Sequence, residues 1–385
     1  MSGEKNLFAG REGLCLPDYR HGIISVAGSW MEALGVKAPG TVDPQVTCWL
    51  HRHAFRQIIV LLIDGMGSRI LRSHLSQDHF LRRAMLKEVT TVYPSTTAAA
   101  TTSILTGLSP METGWIGWHQ YFRELDDSVI LFLNRSRYGR RSWPGFSDTA
   151  LPVRLLPDQL AAQGKTSRVL FPAFRPGGAH DFDELCCQIE QTAQDRSVSF
   201  VYAYWDQFDT LMHQKGPSFR GVGDELRRID HRCALLAERL PQDCGLIIIA
   251  DHGQVDVHSV NLAQDEELRR WLTFPVTVEA RAAAFHLKPG CYDRFEHDFN
   301  QRFSSSFLLA KSETLLRSGL FGEGQAHPRT AEFLGDAFAV GLGDLTLDWI
   351  ENEKIPFRGQ HAGLREEEMW VPVILSPGFD SAPGL

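Results

Sequence analysis

Three aspartates and three histidines stand out in this sequence because they follow strand-like hydrophobic runs or lie between glycines, where packing explains them poorly. They are Asp64, Asp209, His213, Asp251, His252 and His361. Mixed sets of aspartate and histidine suit zinc, with manganese or iron as alternatives. Six ligands are too many for one tetrahedral ion, but they suit two ions about 3.5–4 Å apart that share a hydroxyl. The residue types therefore predict a centre for two divalent metal ions.

A hydroxyl for such a centre is offered by the Ser-Thr-Thr run at residues 95–97. Pro94 holds the residue before it in an extended conformation, so a strand should end there. The alanines from Ala98 onward favour a helix, and Gly107 is a natural stop. One of the three hydroxyls should therefore lie at a helix N-terminus, where free N–H groups and the helix dipole attract an anion. The alternative is that all three residues only cap the helix.

Several of these signals have a simpler structural explanation when each is taken alone. Asp64 could be a turn or cap residue. The D-x-x-x-H spacing that begins at Asp209 puts two side chains on one helical face, but such spacing is common. His361 could be a histidine of a surface loop. Asp251 and His252 are different, because burying either at the tip of a central strand without a partner costs several kcal/mol.

Hydrophobic runs supply the elements that would position these residues. Runs 57–63 and 245–250 are continuously aliphatic, which is typical of strands buried on both faces of a parallel sheet. Further strands are predicted at 89–93, 128–134, 168–171, 198–205 and 370–375, and helices at 24–34, 69–74, 183–194 and 224–240. Open α/β sheets place ligands at the carboxyl ends of their strands, so the acids after these runs should meet at one edge. Pro372 suits an edge position for the last strand.

The sequence pattern changes between residues 267 and 344, where a compact strand–helix–helix–strand unit is predicted. Its elements are a strand at 278–287, helices at 292–303 and 312–318, and a strand at 336–340. This pattern indicates a small α+β insertion beside the main sheet. The predicted division is a catalytic core at 1–266, an inserted cap subdomain at 267–344 and completion of the core by 345–385.

Composition narrows the possible partners. The 385 residues carry a formal net charge of −8, with a sequence pI of about 6.0, which argues against a nucleic-acid polymer as partner. No apolar run is long enough to span a membrane, and residues 1–6 lack the apolar core of a signal peptide. The seven cysteines have no CxxC spacing, which indicates reduced thiols. We therefore expect a cytoplasmic protein that acts on a small phosphorylated substrate; its oligomeric state is left open.

One basic cluster interrupts this acidic chain. It consists of Arg135, Arg137, Arg140 and Arg141. The cluster is either a solvated loop or a patch that steers anions.

The motifs, taken together and in order, resemble the nucleotide pyrophosphatase/phosphodiesterase branch of the alkaline phosphatase superfamily. The segments that carry the resemblance are 62–67, 94–97 with 105–108, Asp209-x-x-x-His213, 250–253 and 359–363. The resemblance covers about residues 57 to 375. It implies an alkaline-phosphatase-like α/β fold, with a central mostly parallel sheet flanked by helices and a smaller domain inserted late in the chain.

The resemblance also implies roles for individual residues. Thr97 matches the nucleophile, because it lies nine residues before Thr106 of the Thr-Gly-Leu signature. The ligands of the ion that activates it are matched by Asp64, Asp251 and His252, and those of the second ion by Asp209, His213 and His361. Attack by Thr97 would give a phospho-threonine intermediate that water then hydrolyses. The implied activity is hydrolysis of phosphodiester or pyrophosphate bonds with two divalent ions, zinc above all.

One position departs from the family pattern. Nucleotide-cleaving members carry an asparagine beyond the nucleophile that helps to bind a phosphoryl oxygen, and Trp118 stands in that place here. An indole donates only one hydrogen bond and is bulky, which weakens the carry-over of nucleotide specificity. A phosphonate hydrolase or phosphomonoesterase of the same superfamily is the alternative, and a non-catalytic binding protein on this scaffold is a further one. A sulfatase is disfavoured because no Cys-x-Pro-x-Arg motif is present, and a phosphoglycerate-mutase-like enzyme because that branch uses a serine.

Overall fold

The structure is a computed structural model that describes residues 7–8, 11–351 and 355–378, so the prediction for residues 1–6 lies outside it. Its strands are β1 (Gln57–Ile63), β2 (Met85–Thr90), β3 (His119–Phe122), β4 (Asp127–Ile130), β5 (Arg135–Ser136), β6 (Thr166–Leu170), β7 (Val198–Trp205), β8 (Cys244–Ile249), β9 (Val255–Asp256), β10 (His258–Asn261), β11 (Thr277–Val278), β12 (Ala282–Phe285), β13 (Phe307–Lys311), β14 (Ala337–Gly341), β15 (Leu345–Asp348), β16 (Gly359–Gln360) and β17 (Trp370–Ser376).

The helices connect these strands and vary widely in length. They are α1 (Ile23–Ala33), α2 (Pro44–His53), α3 (Ser68–His74), α4 (Phe80–Arg83), α5 (Thr97–Thr106), α6 (Pro110–Thr113), α7 (Phe146–Ala150), α8 (Leu156–Ala162), α9 (Phe182–Gln194), α10 (Gln207–Lys215), α11 (Arg220–Arg239), α12 (Glu266–Arg269), α13 (Tyr292–Phe303), α14 (Ser312–Arg317), α15 (Thr330–Phe333) and α16 (Glu366–Met369). None of the described helices is long and apolar enough to cross a membrane.

The central sheet has six strands in the order β2-β17-β8-β1-β7-β6. Its middle strands run parallel, since β1 pairs with β7 and β8, and β6 pairs with β7, in parallel register. Every residue of β1 and β8 is buried, as the continuous aliphatic runs predict. Apolar side chains of α1, α9 and α11 pack with these strands in one buried core. The predicted mostly parallel α/β sheet is confirmed.

The prediction of an edge position for the last strand is wrong. β17 runs antiparallel between β2 and β8, and β2 is the edge strand. Pairing with β8 begins only at Val373, so Pro372 lies beyond the stretch that is bonded on both sides. The interior position is therefore compatible with a residue that has no N–H to donate. The strand predicted at 89–93 also begins earlier and ends at Thr90.

A second sheet has seven strands in the order β13-β14-β12-β11-β3-β4-β5 and is antiparallel. The strand at 307–311 was not expected from the sequence. The sheet also joins strands from two distant parts of the chain, because β3, β4 and β5 belong to residues 119–136. The strands of residues 277–341 thus share one sheet with the hairpin of residues 119–136. The division into a core and an inserted subdomain stays a prediction.

A buried ion pair links the second sheet to the helix that precedes β17. The Nε and Nη2 atoms of Arg281 each lie 2.7 Å from a different carboxylate oxygen of Glu368, and both side chains are fully buried. Glu368 also accepts a hydrogen bond from the Gly363 backbone N–H, two residues after His361. The pair therefore fixes the loop that carries one of the predicted metal ligands.

Breaking this pair should destabilise the protein far more than breaking an exposed pair on the same helix. Glu368→Gln leaves the Arg281 charge buried without a counter-ion, and we expect a loss of about 3–5 kcal/mol in the free energy of unfolding. The control is Glu366→Gln, because Glu366 pairs with Arg69 on the surface, and we expect a loss below about 1 kcal/mol. Urea unfolding followed by tryptophan fluorescence measures both values. Equal losses would contradict the role assigned to the buried pair.

Candidate active site

All seven predicted site residues lie on the loops and helices that follow strands. Asp64 follows β1, and Asp251 and His252 follow β8. The remaining residues are Thr97 at the start of α5, Asp209 and His213 on α10 after β7, and His361 after β16. Since β1, β7 and β8 are parallel neighbours, their carboxyl ends bring the side chains that follow them to one edge of the sheet, as expected for an open α/β fold.

Thr97 is the first residue of α5, and its hydroxyl points at two of the predicted ligands. Its Oγ1 lies 3.1 Å from His252 Nε2 and 3.4 Å from both carboxylate oxygens of Asp64. The Ser95 hydroxyl donates to the Gly363 carbonyl, and the Thr96 hydroxyl donates to Glu279. No side chain caps this helix, so the interpretation of the three hydroxyls as caps alone is wrong. The free N–H groups of the first turn remain available to an anion.

Two groups of buried side chains could each hold a metal ion. Asp64, Asp251 and His252 form one group, whose ligand atoms lie within 4.8 Å of one another. The other group consists of Asp209, His252 and His361. His213 lies beside this second group, with its Nε2 at 3.0 Å from Asp209 Oδ2. His252 is common to both groups and stacks on His361, with 3.8 Å between the ring centroids.

The three histidines are oriented in the same way, by backbone carbonyl groups. Nδ1 lies 2.8 Å from the Gly359 oxygen in His213, 3.1 Å from the Gly253 oxygen in His252 and 3.0 Å from the Ser95 oxygen in His361. A carbonyl can only accept, so each Nδ1 carries a proton, and Nε2 is the atom that each ring can offer to a metal ion. Metal-ligating histidines are usually held by such outer contacts.

The buried carboxylates of the site need positive charge nearby to be stable in their ionised form. Burial, followed by the charges of Asp251 and Asp209, raises the pKa of Asp64 well above its usual value. Burial alone would raise the pKa of Asp209 too, but His213 beside it lowers that pKa overall. Asp251 is completely buried and its Oδ2 has no hydrogen-bond partner. An unpaired buried carboxylate oxygen is costly unless it ligates a cation, so the donor set fits divalent metal ions.

The residue after Asp64 must be a glycine, because side chains of α10 approach its backbone closely. Gly65 has a φ of +71°, and a Cβ at this position would meet both Asp209 Oδ1 and Met212 Cε at 2.9 Å. The Gly65 N–H donates to Asp251 Oδ1 over 3.1 Å. This turn therefore joins the ends of β1, β7 and β8 at the point where the two ligand groups meet.

A cleft of about 720 Å³ opens over Thr97 and contains residues that sequence reasoning missed. The carboxylate of Glu279 accepts from the Thr96 hydroxyl and, at 2.8 Å, from the Trp118 N–H. Tyr204, which lines the cleft, donates to Asp64 Oδ2, and the buried Gln254, which lies outside the cleft lining, donates to Asp209 Oδ1. No periodicity or spacing distinguishes these residues, because they reach the site only through tertiary packing.

Trp118, which the resemblance predicts to replace the asparagine of nucleotide-cleaving members, lines this cleft. Its ring contacts Phe132 edge-on, with 6.0 Å between the centroids. The backbone N–H of Trp118, rather than its side chain, makes the polar contact to Glu279. The indole thus contributes an aromatic wall to the cleft.

A mostly parallel sheet with acidic and histidine side chains at its carboxyl edge, and a threonine at a helix N-terminus beside them, is the arrangement expected of a hydrolase with an alkaline-phosphatase-like fold. The family model for type I phosphodiesterase / nucleotide pyrophosphatase matches residues 58–185 and 179–305. The chain belongs to this family, as the motifs in its sequence indicate.

Solved structures share the fold at low sequence identity. Murine ectonucleotide pyrophosphatase/phosphodiesterase 5 is 16% identical, with a TM-score of 0.62 over 82% of this chain and 87% of that chain. The human protein is also 16% identical, with a TM-score of 0.63 over 83% and 87%. Phosphonoacetate hydrolase from Sinorhizobium meliloti 1021 is 16% identical, with a TM-score of 0.61 over 83% and 90%. No curated protein sequence matches the chain.

Proposed function

We propose that the protein hydrolyses phosphodiester or pyrophosphate bonds at a two-metal centre, through a covalent intermediate on Thr97. The observation that carries the proposal is the position of the Thr97 hydroxyl, 3.1–3.4 Å from His252 and Asp64 at the uncapped start of α5. The likeness of the fold to an inactive variant of murine ectonucleotide pyrophosphatase/phosphodiesterase 5 in complex with AMP also supports a small phosphorylated substrate.

The proposed ligands are those named from the sequence. Asp64, Asp251 and His252 would hold the ion next to Thr97, and the second ion would be held by Asp209, His213 and His361. The mixed oxygen and nitrogen donors favour zinc. When bound, the ions would lower the pKa of the Thr97 hydroxyl and stabilise charge on the phosphoryl oxygens.

The chain itself supplies the positioning. Thr97 Oγ1 attacks phosphorus, and the bond to the leaving oxygen breaks in line with it. The free N–H groups in the first turn of α5 receive a phosphoryl oxygen as charge develops. Water then attacks the phospho-threonine and regenerates the hydroxyl. Gln254 and Tyr204 hold Asp209 and Asp64 in orientation through their hydrogen bonds.

A phosphonate hydrolase is the second candidate, favoured by Trp118 in place of the asparagine of nucleotide-cleaving members. The solved structures that share the fold include phosphonoacetate hydrolase in complex with phosphonoacetate. A phosphomonoesterase and a non-catalytic binding protein remain further alternatives. Cytoplasmic localisation also remains a prediction from the sequence.

A substrate profile separates these functions. We expect the purified, zinc-loaded protein to release p-nitrophenol from bis-p-nitrophenyl phosphate faster than from p-nitrophenyl phosphate or a p-nitrophenyl phosphonate. Faster turnover of the phosphonate would favour the second candidate, and faster turnover of the monoester would favour a phosphomonoesterase. A fully metallated protein that cleaves none of the three would favour the binding protein.

A further inference from the structure

Two arginines of the β4–β5 hairpin, Arg135 and Arg137, line the cleft that contains Thr97. We propose that they bind a second anionic group of the substrate, a carboxylate or a phosphate, beyond the phosphoryl group that is cleaved. The inference rests on the proposed function, because it names the class of substrate that the same site would take.

Arg135 and Arg137 lie on the same face of the hairpin. Arg135 and Arg137 are two residues apart at the end of an extended segment, so they share a face, whereas the residue between them faces the opposite way. That residue, Ser136, is buried and donates a hydrogen bond of 2.8 Å to Asp127 Oδ1. The Arg137 N–H donates to the Ser128 carbonyl, also over 2.8 Å. The backbone that carries the two arginines is therefore held firmly by the second sheet.

Both guanidinium groups lack a carboxylate partner in the part of the chain that the structure describes. Arg141 of the same cluster differs, because its Nη2 lies 2.8 Å from Asp127 Oδ2. The guanidinium of Arg137 lies 5.3 Å from the centroid of the Tyr138 ring, and the Tyr138 hydroxyl donates to the Val276 carbonyl. Arg137 is thus oriented by an aromatic face while its N–H groups stay free for a ligand.

The described lining of the cleft carries five carboxylates, those of Asp64, Asp206, Asp209, Glu279 and Asp348, and two guanidinium groups that can attract an anion. Among the described residues that line it, Arg135 and Arg137 are the only lysine or arginine side chains. Burial, and then the charge of Arg137, lowers the pKa of the neighbouring His119 well below its usual value, so this histidine is neutral. Asp348 also lines the cleft, but its Oδ2 already accepts hydrogen bonds from Ser259 and Thr346. Paired guanidinium groups offer the forked donors that match carboxylate and phosphate oxygens.

The test uses three p-nitrophenyl phosphodiesters that differ only at the end of the second ester arm. That end carries a carboxylate, a phosphate or a neutral carboxamide. We expect the wild-type protein to cleave at least one anionic substrate with a kcat/KM about tenfold above that for the carboxamide. The double variant Arg135→Gln/Arg137→Gln should lose this ratio. The ratio compares two substrates on the same preparation of one protein. A partial loss of folded protein lowers both kcat/KM values equally and therefore does not change the ratio.

Arg140→Gln is the matched control, because Arg140 lies in the same segment and is exposed but does not line the cleft. This variant should keep the wild-type ratio for each anionic substrate. Whether the carboxylate or the phosphate arm shows the larger ratio identifies the natural group. Equal kcat/KM for all three substrates in the wild-type protein, or an unchanged ratio in the double variant, would overturn the subsite.

A binding measurement separates this subsite from the proposed reaction. The Thr97→Ala protein should bind an anionic ester about tenfold more tightly than the carboxamide in calorimetry, and the double arginine change should remove the difference. If this difference appears but the wild-type protein turns over no ester, the proposed reaction fails and the subsite stands. If turnover occurs without any preference for the anionic arms, the subsite fails alone.

Discussion

Thr97→Ala should lower kcat/KM for a phosphodiester by at least about 10³-fold while the protein keeps its bound metal ions. The reason is that the Thr97 hydroxyl is the only oxygen at the start of α5 that faces Asp64 and His252; those of Ser95 and Thr96 are engaged by Gly363 and Glu279. Steady-state kinetics and metal analysis by mass spectrometry measure the two effects together.

Thr102→Ala is the matched control for this change. Thr102 is a buried threonine of the same helix whose hydroxyl donates to the Ala98 carbonyl within the helix. Its replacement should leave kcat/KM within about threefold of the wild-type value, because this bond lies within the helix and not in the site. Thr97→Ser, which keeps the hydroxyl, should retain measurable turnover. Normal rates for Thr97→Ala would remove Thr97 from the mechanism.

Asp251→Asn should remove at least one bound divalent ion per chain and lower kcat/KM by at least about 10²-fold. Asp251 Oδ1 already accepts hydrogen bonds from the N–H groups of Gly65 and His252, which leaves Oδ2 as the oxygen free to ligate. An asparagine replaces one of these oxygens by a donor NH₂ group and loses the negative charge. Metal analysis after dialysis against zinc gives the stoichiometry.

The same variant should be more stable than the wild-type protein when metal is absent. Burial raises the pKa of Asp251, so its charged form opposes folding, and this opposition grows as the pH rises through the carboxylate range. Removing the charge should therefore raise the melting temperature in EDTA, which also excludes misfolding as the cause of lost activity. Asp206→Asn serves as the control for metal content, since Asp206 lines the cleft but belongs to neither ligand group. A full metal content in Asp251→Asn would contradict the assignment.

The sequence predicts the middle of the central sheet well because β1 and β8 are continuous aliphatic runs. Asp64 and Asp251 follow the ends of these two runs, Asp209 lies on α10 after β7, and the topology brings the three acids together at one edge. Local patterns fail where pairing is long-range: they place β17 at an edge and do not reveal that the hairpin at 119–136 completes the second sheet. Glu279 and the carbonyl groups that orient the histidines carry no sequence signal, because their roles arise only from packing.

The two sheets contribute different parts of the cleft. The acids and histidines follow strands of the central sheet, apart from His361, which follows β16, whereas Arg135 and Arg137 come from the far end of the second sheet. Substitutions in that hairpin can therefore accumulate without disturbing the residues that would bind metal. In this arrangement, related proteins can differ in the substrates that they hydrolyse while they keep the same reacting residues.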